Sequence, residues 1–153
     1  ILIHPQSVIH SMVEYVDGSV LAQLGTPDMR TPIAYALAWP NRMATPAPSL
    51  DLNQIATLTF EAPDIARFPS IRLAREALDQ GGAAPIVLNA ANEIAVHHFL
   101  SNNVPFRAIP QVVEETLTRQ SFMVPENIND VTLIDSETRK IAENLVKTIT
   151  SAK

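Results

Sequence analysis

Residues 4–33 read HPQSVIHSMVEYVDGSVLAQLGTPDMRTPI, and this stretch decides the fold. Asp17-Gly18 lies between two apolar arms, and an Asp-Gly pair in that position is a strong signal of a β-hairpin. We expect a type I′ turn, in which both central residues have positive φ. A continuous apolar run in an arm is typical of a strand that is covered on both faces. The stretch therefore predicts a buried hairpin with the chemistry of the protein close to it.

A loop, a short helix and a connecting segment are expected after the hairpin. Thr31 followed by Pro32 predicts a helix cap with proline at the first helical position, where no backbone hydrogen bond is lost. The helix should stop before Pro40. Residues 39–64 are rich in proline and predict a linker, because proline prevents regular structure. A short strand is expected over 57–60.

Apolar residues recur at helical spacing from Ser70 onward. The predicted elements are a helix from Ser70 to Gly81-Gly82, a helix over 84–101, a helix opened by Pro110, a short turn at 129–133 and a final helix capped by Asp135. The fold class expected from the whole chain is α+β. It consists of a β-hairpin or sheet segment, a proline-rich linker and a C-terminal α-helical bundle.

Composition limits the classes of function. Hydrophobic residues make up 46% of the 153 residues and charged residues 18%, which is enough apolar surface for a core. The net charge of −5 speaks against binding to nucleic acid or to an anionic membrane surface. The absence of cysteine excludes disulfides and thiolate chemistry. We expect no membrane span, no signal peptide and a cytoplasmic location, and the start at Ile1 suggests that upstream sequence is missing.

Two histidines of the opening stretch are candidates for chemistry. His4 and His10 are six residues apart, and on one strand an even spacing puts them on the same face. They could be a metal pair, a general base or a polar partner for a phosphate. They could also be histidines that bond the backbone. Metal ligation is the weakest of these interpretations, because the spacing is not a specific metal motif.

Three further features have open interpretations. Met29 follows Pro27 and Asp28 in a loop, where a thioether could pack over the flat face of a ligand or anchor the loop in the core. NAANE at 89–93 favours a structural polar cluster on a helix, and the histidines at 97 and 98 are expected at the surface. No G-x-G-x-x-G and no P-loop motif is present.

Long strings of the chain resemble one enzyme family. HPQSVIHSMVEYVDGSVLAQLGTPDMRTPIAYALAWPNR at 4–42 closely resembles the corresponding run of the 1-deoxy-D-xylulose 5-phosphate reductoisomerase family. LDL at 50–52, TFEAPDIARFPSIRLAREALDQGG at 59–82 and VLNAANEIAVHHFL at 87–100 do so too. The resemblance covers nearly the whole chain and is weakest near its C-terminal end.

The resemblance implies an enzyme of isoprenoid precursor synthesis. The family's homodimers convert a small sugar phosphate, 1-deoxy-D-xylulose 5-phosphate, to 2-C-methyl-D-erythritol 4-phosphate, with NADPH and Mn²⁺ or Mg²⁺. Residues 1–38 would be the end of the central catalytic and dimerisation domain, 39–64 the linker and 65–153 the C-terminal helical domain. Since the main ligand residues lie upstream in the family, the chain alone is expected to be inactive. The alternative for the chain by itself is a non-catalytic dimerisation and helical support fragment.

Three site residues follow from the resemblance. His10 matches a histidine at the edge of the family's active site, which orders the metal and substrate region. Pro27 and Met29 match a loop near the nicotinamide of the cofactor. No metal ligand is assigned within this chain, and residues 6–24 resemble strands that build the dimer sheet.

Overall fold

The structure is a computed structural model that describes residues 1–119 and 123–151. The chain divides into two units, Ile1–Pro63 (unit 1) and Asp64–Lys153 (unit 2). The described elements are β1 (Ile9–Glu14), β2 (Val20–Leu24), α1 (Arg30–Ala38), α2 (Leu52–Ile55), α3 (Ser70–Gln80), α4 (Ala84–Leu100), α5 (Ala108–Arg119) and α6 (Ile128–Ser151). A small antiparallel sheet followed by helices confirms the predicted α+β class.

The predicted hairpin is present, but its turn is one residue longer than expected. β1 and β2 pair antiparallel as far as Glu14 opposite Val20, and the amide of Gly18 then donates to the Tyr15 carbonyl at 3.0 Å. Gly18 has a φ of +83°, whereas Asp17 is not among the residues with positive φ. The type I′ prediction is therefore wrong. The loop is a turn closed by a left-handed glycine, and the carboxylate of Asp17 accepts bonds from Ser19.

The hairpin is exposed, contrary to the expectation of a strand covered on both faces. Val13, Val20 and Leu21 keep 56%, 53% and 63% of their surface accessible. Within unit 1, β1 and β2 pack on each other, and neither α1 nor α2 packs on them. In the described residues of unit 1, Val8 is the one buried hydrophobic side chain. Within the described residues of unit 1, the apolar side chains of both strands therefore remain exposed.

Helix α1 begins at Arg30, two residues before the first helical position predicted at Pro32. Met29 is its N-cap, so Thr31 lies inside the helix and does not cap it. The carboxylate of Asp28 accepts the Arg30 amide at 2.9 Å and takes the place of the predicted cap. The helix ends at Ala38, before Pro40, as predicted.

The segment predicted as a linker without regular structure holds one short helix. α2 begins where the Asp51 side chain accepts the amide of Asn53 at 2.9 Å, which supplies a cap that the proline count did not reveal. The strand expected over 57–60 is absent, and the described residues show in its place an isolated bridge between Ile3 and Glu61. Whether 39–64 acts as a linker stays a prediction.

Unit 2 is built around α4, which packs against α3, α5 and α6. Its buried positions are mostly alanine, and side chains this small let the neighbouring helices approach closely. The core side chains around it are Leu73, Val112, Val113, Leu145 and Val146. α3 ends at Gly81, whose φ of +65° gives the left-handed C-terminus that the glycine pair predicted. The described helices include none that is long and apolar enough to cross a membrane.

The C-terminal helices differ from the prediction in their starts. α5 begins at Ala108, before Pro110, because proline is tolerated throughout a first turn. The predictions of a separate turn at 129–133 and of a helix cap at Asp135 are wrong, since one continuous helix covers both positions. Asn127 caps that helix by accepting the amides of Asn129 and Asp130 at 2.9 and 3.1 Å.

Candidate functional site

The loop of residues 25–29 carries two of the predicted site residues. Met29 has 72% of its surface accessible, and Pro27 is exposed as well. Thr26 and Asp28, which alternate with them, are half-buried. The alternation turns the polar side chains inward and the apolar ones outward. Met29 is therefore not a core anchor of this chain, and its thioether is accessible for contact with a flat ligand.

His10 lies next to this loop at an irregularity of the sheet. The pairing register shifts between Ile9, opposite Leu24, and Ser11, opposite Gln23, so His10 is the extra residue of a bulge. Its Nε2 donates to the carbonyl oxygen of Gly25 at 3.1 Å. The histidine thus fastens β1 to the first residue of the loop.

His4 does not share a strand with His10. A turn at residues 5–6 and a positive φ of 50° at Ser7 separate His4 from β1, which overturns the same-strand prediction. The Nδ1 of His4 lies 2.9 Å from the Thr59 carbonyl oxygen, and its ring stacks on Phe60 at 4.8 Å. Both histidines therefore bond backbone carbonyls, and they bond different ones.

A divalent metal does not fit the residues that the structure describes. Within 1–119 and 123–151, no three His, Asp or Glu side chains come close enough together to hold an ion. The described residues therefore do not form a metal site by themselves, and the expectation that this chain supplies no metal ligand stays a prediction. For a nicotinamide cofactor, the accessible candidates are Pro27 and Met29, which could contact a ring but hold no phosphate.

Asp28 and Arg30 form an ion pair where the loop enters α1. The Nε of Arg30 lies 2.9 and 3.0 Å from the two carboxylate oxygens, in addition to the backbone bond. Hydrogen bonds from the Arg30 side chain and then from its amide lower the pKa of Asp28 from 3.8 to about 2. The same pair raises the pKa of Arg30. The carboxylate therefore stays charged and holds the end of the loop.

Thr26 fastens the middle of the loop to the proline-rich segment. Its hydroxyl donates to the carbonyl oxygen of Pro48 at 3.0 Å, across 22 residues of sequence. The sequence-based prediction missed both Thr26 and Arg30 as loop anchors. The Asp-x-Arg spacing at a helix start was a usable signal for the ion pair, whereas no local sequence pattern indicates the bond between Thr26 and Pro48.

Residues 89–93 take part in the polar cluster predicted on this helix, and its structural role stays a prediction. Glu93 on α4 bonds Arg139 on α6, and Asn89 lies 3.4 Å from Glu93. His97 is exposed, as expected. The prediction that His98 lies at the surface is wrong, since only 18% of its side chain is accessible. A groove of about 780 Å³ in this unit is lined by none of the predicted site residues.

Comparison with protein families and known proteins identifies one set of relatives. A family model described as DXP reductoisomerase C-terminal domain matches residues 24–141. The 1-deoxy-D-xylulose 5-phosphate reductoisomerase of Rhodospirillum centenum is 58% identical over 95% of this chain and 36% of its own length. That of Zymomonas mobilis is 54% identical over 97% of this chain and 38% of its own length.

Solved structures of the same kind superpose on the chain. The Zymomonas mobilis reductoisomerase in complex with NADPH has a TM-score of 0.87 at 55% identity, and the match covers 95% of this chain and 38% of that one. A DOX-P reductoisomerase in complex with NADPH, fosmidomycin and magnesium has a TM-score of 0.85 at 46% identity, with the same coverage. The chain spans between a third and two fifths of the length of these relatives.

Proposed function

Since this chain belongs to the DXP reductoisomerase family, we propose that it is the C-terminal part of an enzyme that converts 1-deoxy-D-xylulose 5-phosphate to 2-C-methyl-D-erythritol 4-phosphate. The observation that carries the proposal is identity of more than half the residues over 95% of the chain with a reductoisomerase. NADPH and Mg²⁺ or Mn²⁺ are the proposed cofactors, because relatives of this fold are solved with NADPH and magnesium. A cytoplasmic location is proposed too, with which a chain without cysteine is compatible.

The residues of this chain would form one wall near the nicotinamide. NADPH, when bound, supplies the hydride, which no side chain can donate. The exposed Met29 thioether and the Pro27 ring offer apolar surface to the flat nicotinamide, and His10 holds the base of their loop through Gly25. Their proposed work is to orient the ring and to keep water from it. The phosphate and metal contacts are left to the rest of the protein.

We propose that the hairpin joins two copies of the protein. Its exposed apolar residues and the free outer edges of β1 and β2 are supporting features, because an open strand edge pairs readily with another strand. Burial of one large side chain such as Leu21 would contribute about 1.5–3 kcal/mol. In this proposal 1–38 completes the catalytic and dimerisation domain, 39–64 links it, and 65–153 is the helical support domain.

A hybrid enzyme tests the catalytic proposal. This chain replaces the matching C-terminal part of the Zymomonas mobilis relative, and the product is called the chimera below. We expect the chimera to oxidise NADPH with 1-deoxy-D-xylulose 5-phosphate and Mg²⁺, and to bind fosmidomycin, with which a relative is solved. The matched control is the same relative without its C-terminal part, which should be inactive. A folded, dimeric chimera without turnover would overturn the proposal.

The second candidate is that the 153-residue chain by itself is a non-catalytic dimerisation and support module. The separate core of unit 2 and the uncovered hairpin of unit 1 favour it. Titration calorimetry of the chain with NADPH and with Mn²⁺ should then show no binding, while sedimentation shows a dimer. Tight binding of either ligand by the chain alone would rule this candidate out.

A further inference from the structure

Three side-chain contacts hold the loop of residues 25–29, and they link it to segments at different distances along the chain. His10 bonds Gly25 at the start of the loop, and the Asp28 carboxylate bonds Arg30 at its end. Both contacts stay within the hairpin and the start of α1. The hydroxyl of Thr26 is the contact that reaches a distant segment, because its acceptor is the carbonyl of Pro48.

The acceptor of the Thr26 bond belongs to a stiff piece of backbone. Pro46 and Pro48 flank Ala47, and proline holds φ near one value. The amide of Ala47 also donates to the Thr45 hydroxyl at 3.3 Å. A carbonyl on so restricted a backbone is a better fixed point than one on a flexible loop, since less conformational freedom remains to be lost when it bonds.

Thr26 lies between the Pro48 carbonyl and the two residues, Pro27 and Met29, that are proposed to contact the cofactor. Thr26 is half-buried and directly precedes Pro27, and the Asp28 amide donates back to the Thr26 carbonyl at 2.8 Å. The Thr26 side chain and backbone therefore bond in two directions, to Pro48 and to the turn that leads into Met29. A shift of Thr26 would move both exposed residues together.

We propose that Thr26 is a positioning residue, through which the proline-rich segment holds the 25–29 loop in the orientation that Met29 and Pro27 need to meet the nicotinamide of NADPH. The inference rests on the proposed function and extends it. It gives residues 45–48 a task in cofactor binding beyond that of a connection. In this proposal Thr26 acts through the loop and makes no contact of its own with the cofactor.

Kinetics of the chimera provide the first test. Thr26→Val keeps the size of the side chain and removes the hydroxyl, whereas Thr26→Ser keeps the hydroxyl. We expect Thr26→Val to raise the KM for NADPH about two- to tenfold, which corresponds to one neutral hydrogen bond, with a smaller change in kcat. Thr26→Ser should restore the KM. Thr118→Val on α5, which removes a comparable bond from a hydroxyl to the Glu114 carbonyl, should leave both constants unchanged.

Hydrogen exchange in the 153-residue chain provides a second test that needs no activity. Thr26→Val should speed exchange at the loop amides, including that of Asp28, while Thr26→Ser and the amides of α4 keep their protection. Unchanged loop exchange, or faster exchange with an unchanged KM for NADPH in an active chimera, would overturn the positioning role and leave the proposed function standing. An inactive chimera with faster loop exchange would instead contradict the proposed function, and with it the positioning role that rests on it. The bond between Thr26 and Pro48 would still be supported.

Discussion

His98 on α4 donates from its Nε2 to the Glu143 carboxylate on α6 at a distance of 3.0 Å. The Nδ1 of the same ring accepts from the side-chain nitrogen Nδ2 of Asn103 at 3.1 Å. One half-buried imidazole therefore bridges two helices and the loop that follows the first of them. Because its two nitrogens meet one acceptor and one donor, the neutral ring satisfies both partners.

Removal of the Glu143 carboxylate should weaken the packing of α4 against α6. We expect Glu143→Ala to lower the free energy of unfolding by about 1 kcal/mol, since a partly buried ring nitrogen loses its acceptor. Urea unfolding of the chain measures this. Glu137→Ala is the matched control, because Glu137 is exposed on the same helix. Equal stability of the two variants would contradict the assigned role of the His98–Glu143 bond.

The alanines of α4 should not tolerate larger side chains. Ala91 is completely buried against the core of unit 2, so Ala91→Leu is expected to cost about 1–3 kcal/mol of unfolding free energy through overpacking. Ala74→Leu on the exposed face of α3 should change it by less than about 0.5 kcal/mol. Thermal or urea unfolding distinguishes the two. A neutral Ala91→Leu would mean that the helices pack less closely than described.

The Asp28–Arg30 pair predicts a pH dependence at the end of the 25–29 loop. The pKa of Asp28 is lowered from 3.8 to about 2, so the pair contributes fully above pH 3.8 and its contribution is lost as the pH falls through about 2. NMR titration of the Asp28 carboxyl should show this midpoint. In Arg30→Gln the midpoint should move back toward 3.8. A wild-type midpoint near 3.8 would show that the ion pair does not form in solution.

His10 should affect catalysis more than stability. The His10→Gln variant of the chimera is expected to lose about tenfold in kcat/KM, because the loop that carries Met29 loses its bond at Gly25, while the melting temperature stays near normal. His97→Gln, at an exposed histidine of α4, should leave turnover unchanged. Turnover of His10→Gln at the level of the unaltered chimera would count against a role for His10 in the site.

Local sequence signals predicted the helices and strands better than they predicted the caps and breaks at their ends. The hairpin, the helix predicted over 84–101 and the end of α3 at Gly81 follow from apolar periodicity and from glycine, and the structure has all three, with the helix one residue shorter. The cap predicted at Asp135 fails because Arg139, one turn later, takes its carboxylate while the helix runs through it. The even spacing of His4 and His10 wrongly predicted that they share one face of a strand, because a positive φ at Ser7 separates His4 from the strand that holds His10.

The sequence by itself determined the α+β order of elements and, through long matching strings, the family and the site residues to be tested. Only the tertiary structure decided which side chains hold those elements together. His10 meets Gly25 across 15 residues, Thr26 meets Pro48 across 22, and His98 meets Glu143 across 45. Periodicity and turn chemistry act over a few neighbouring residues. Contacts between distant segments depend on how whole elements pack, and no local pattern specifies them.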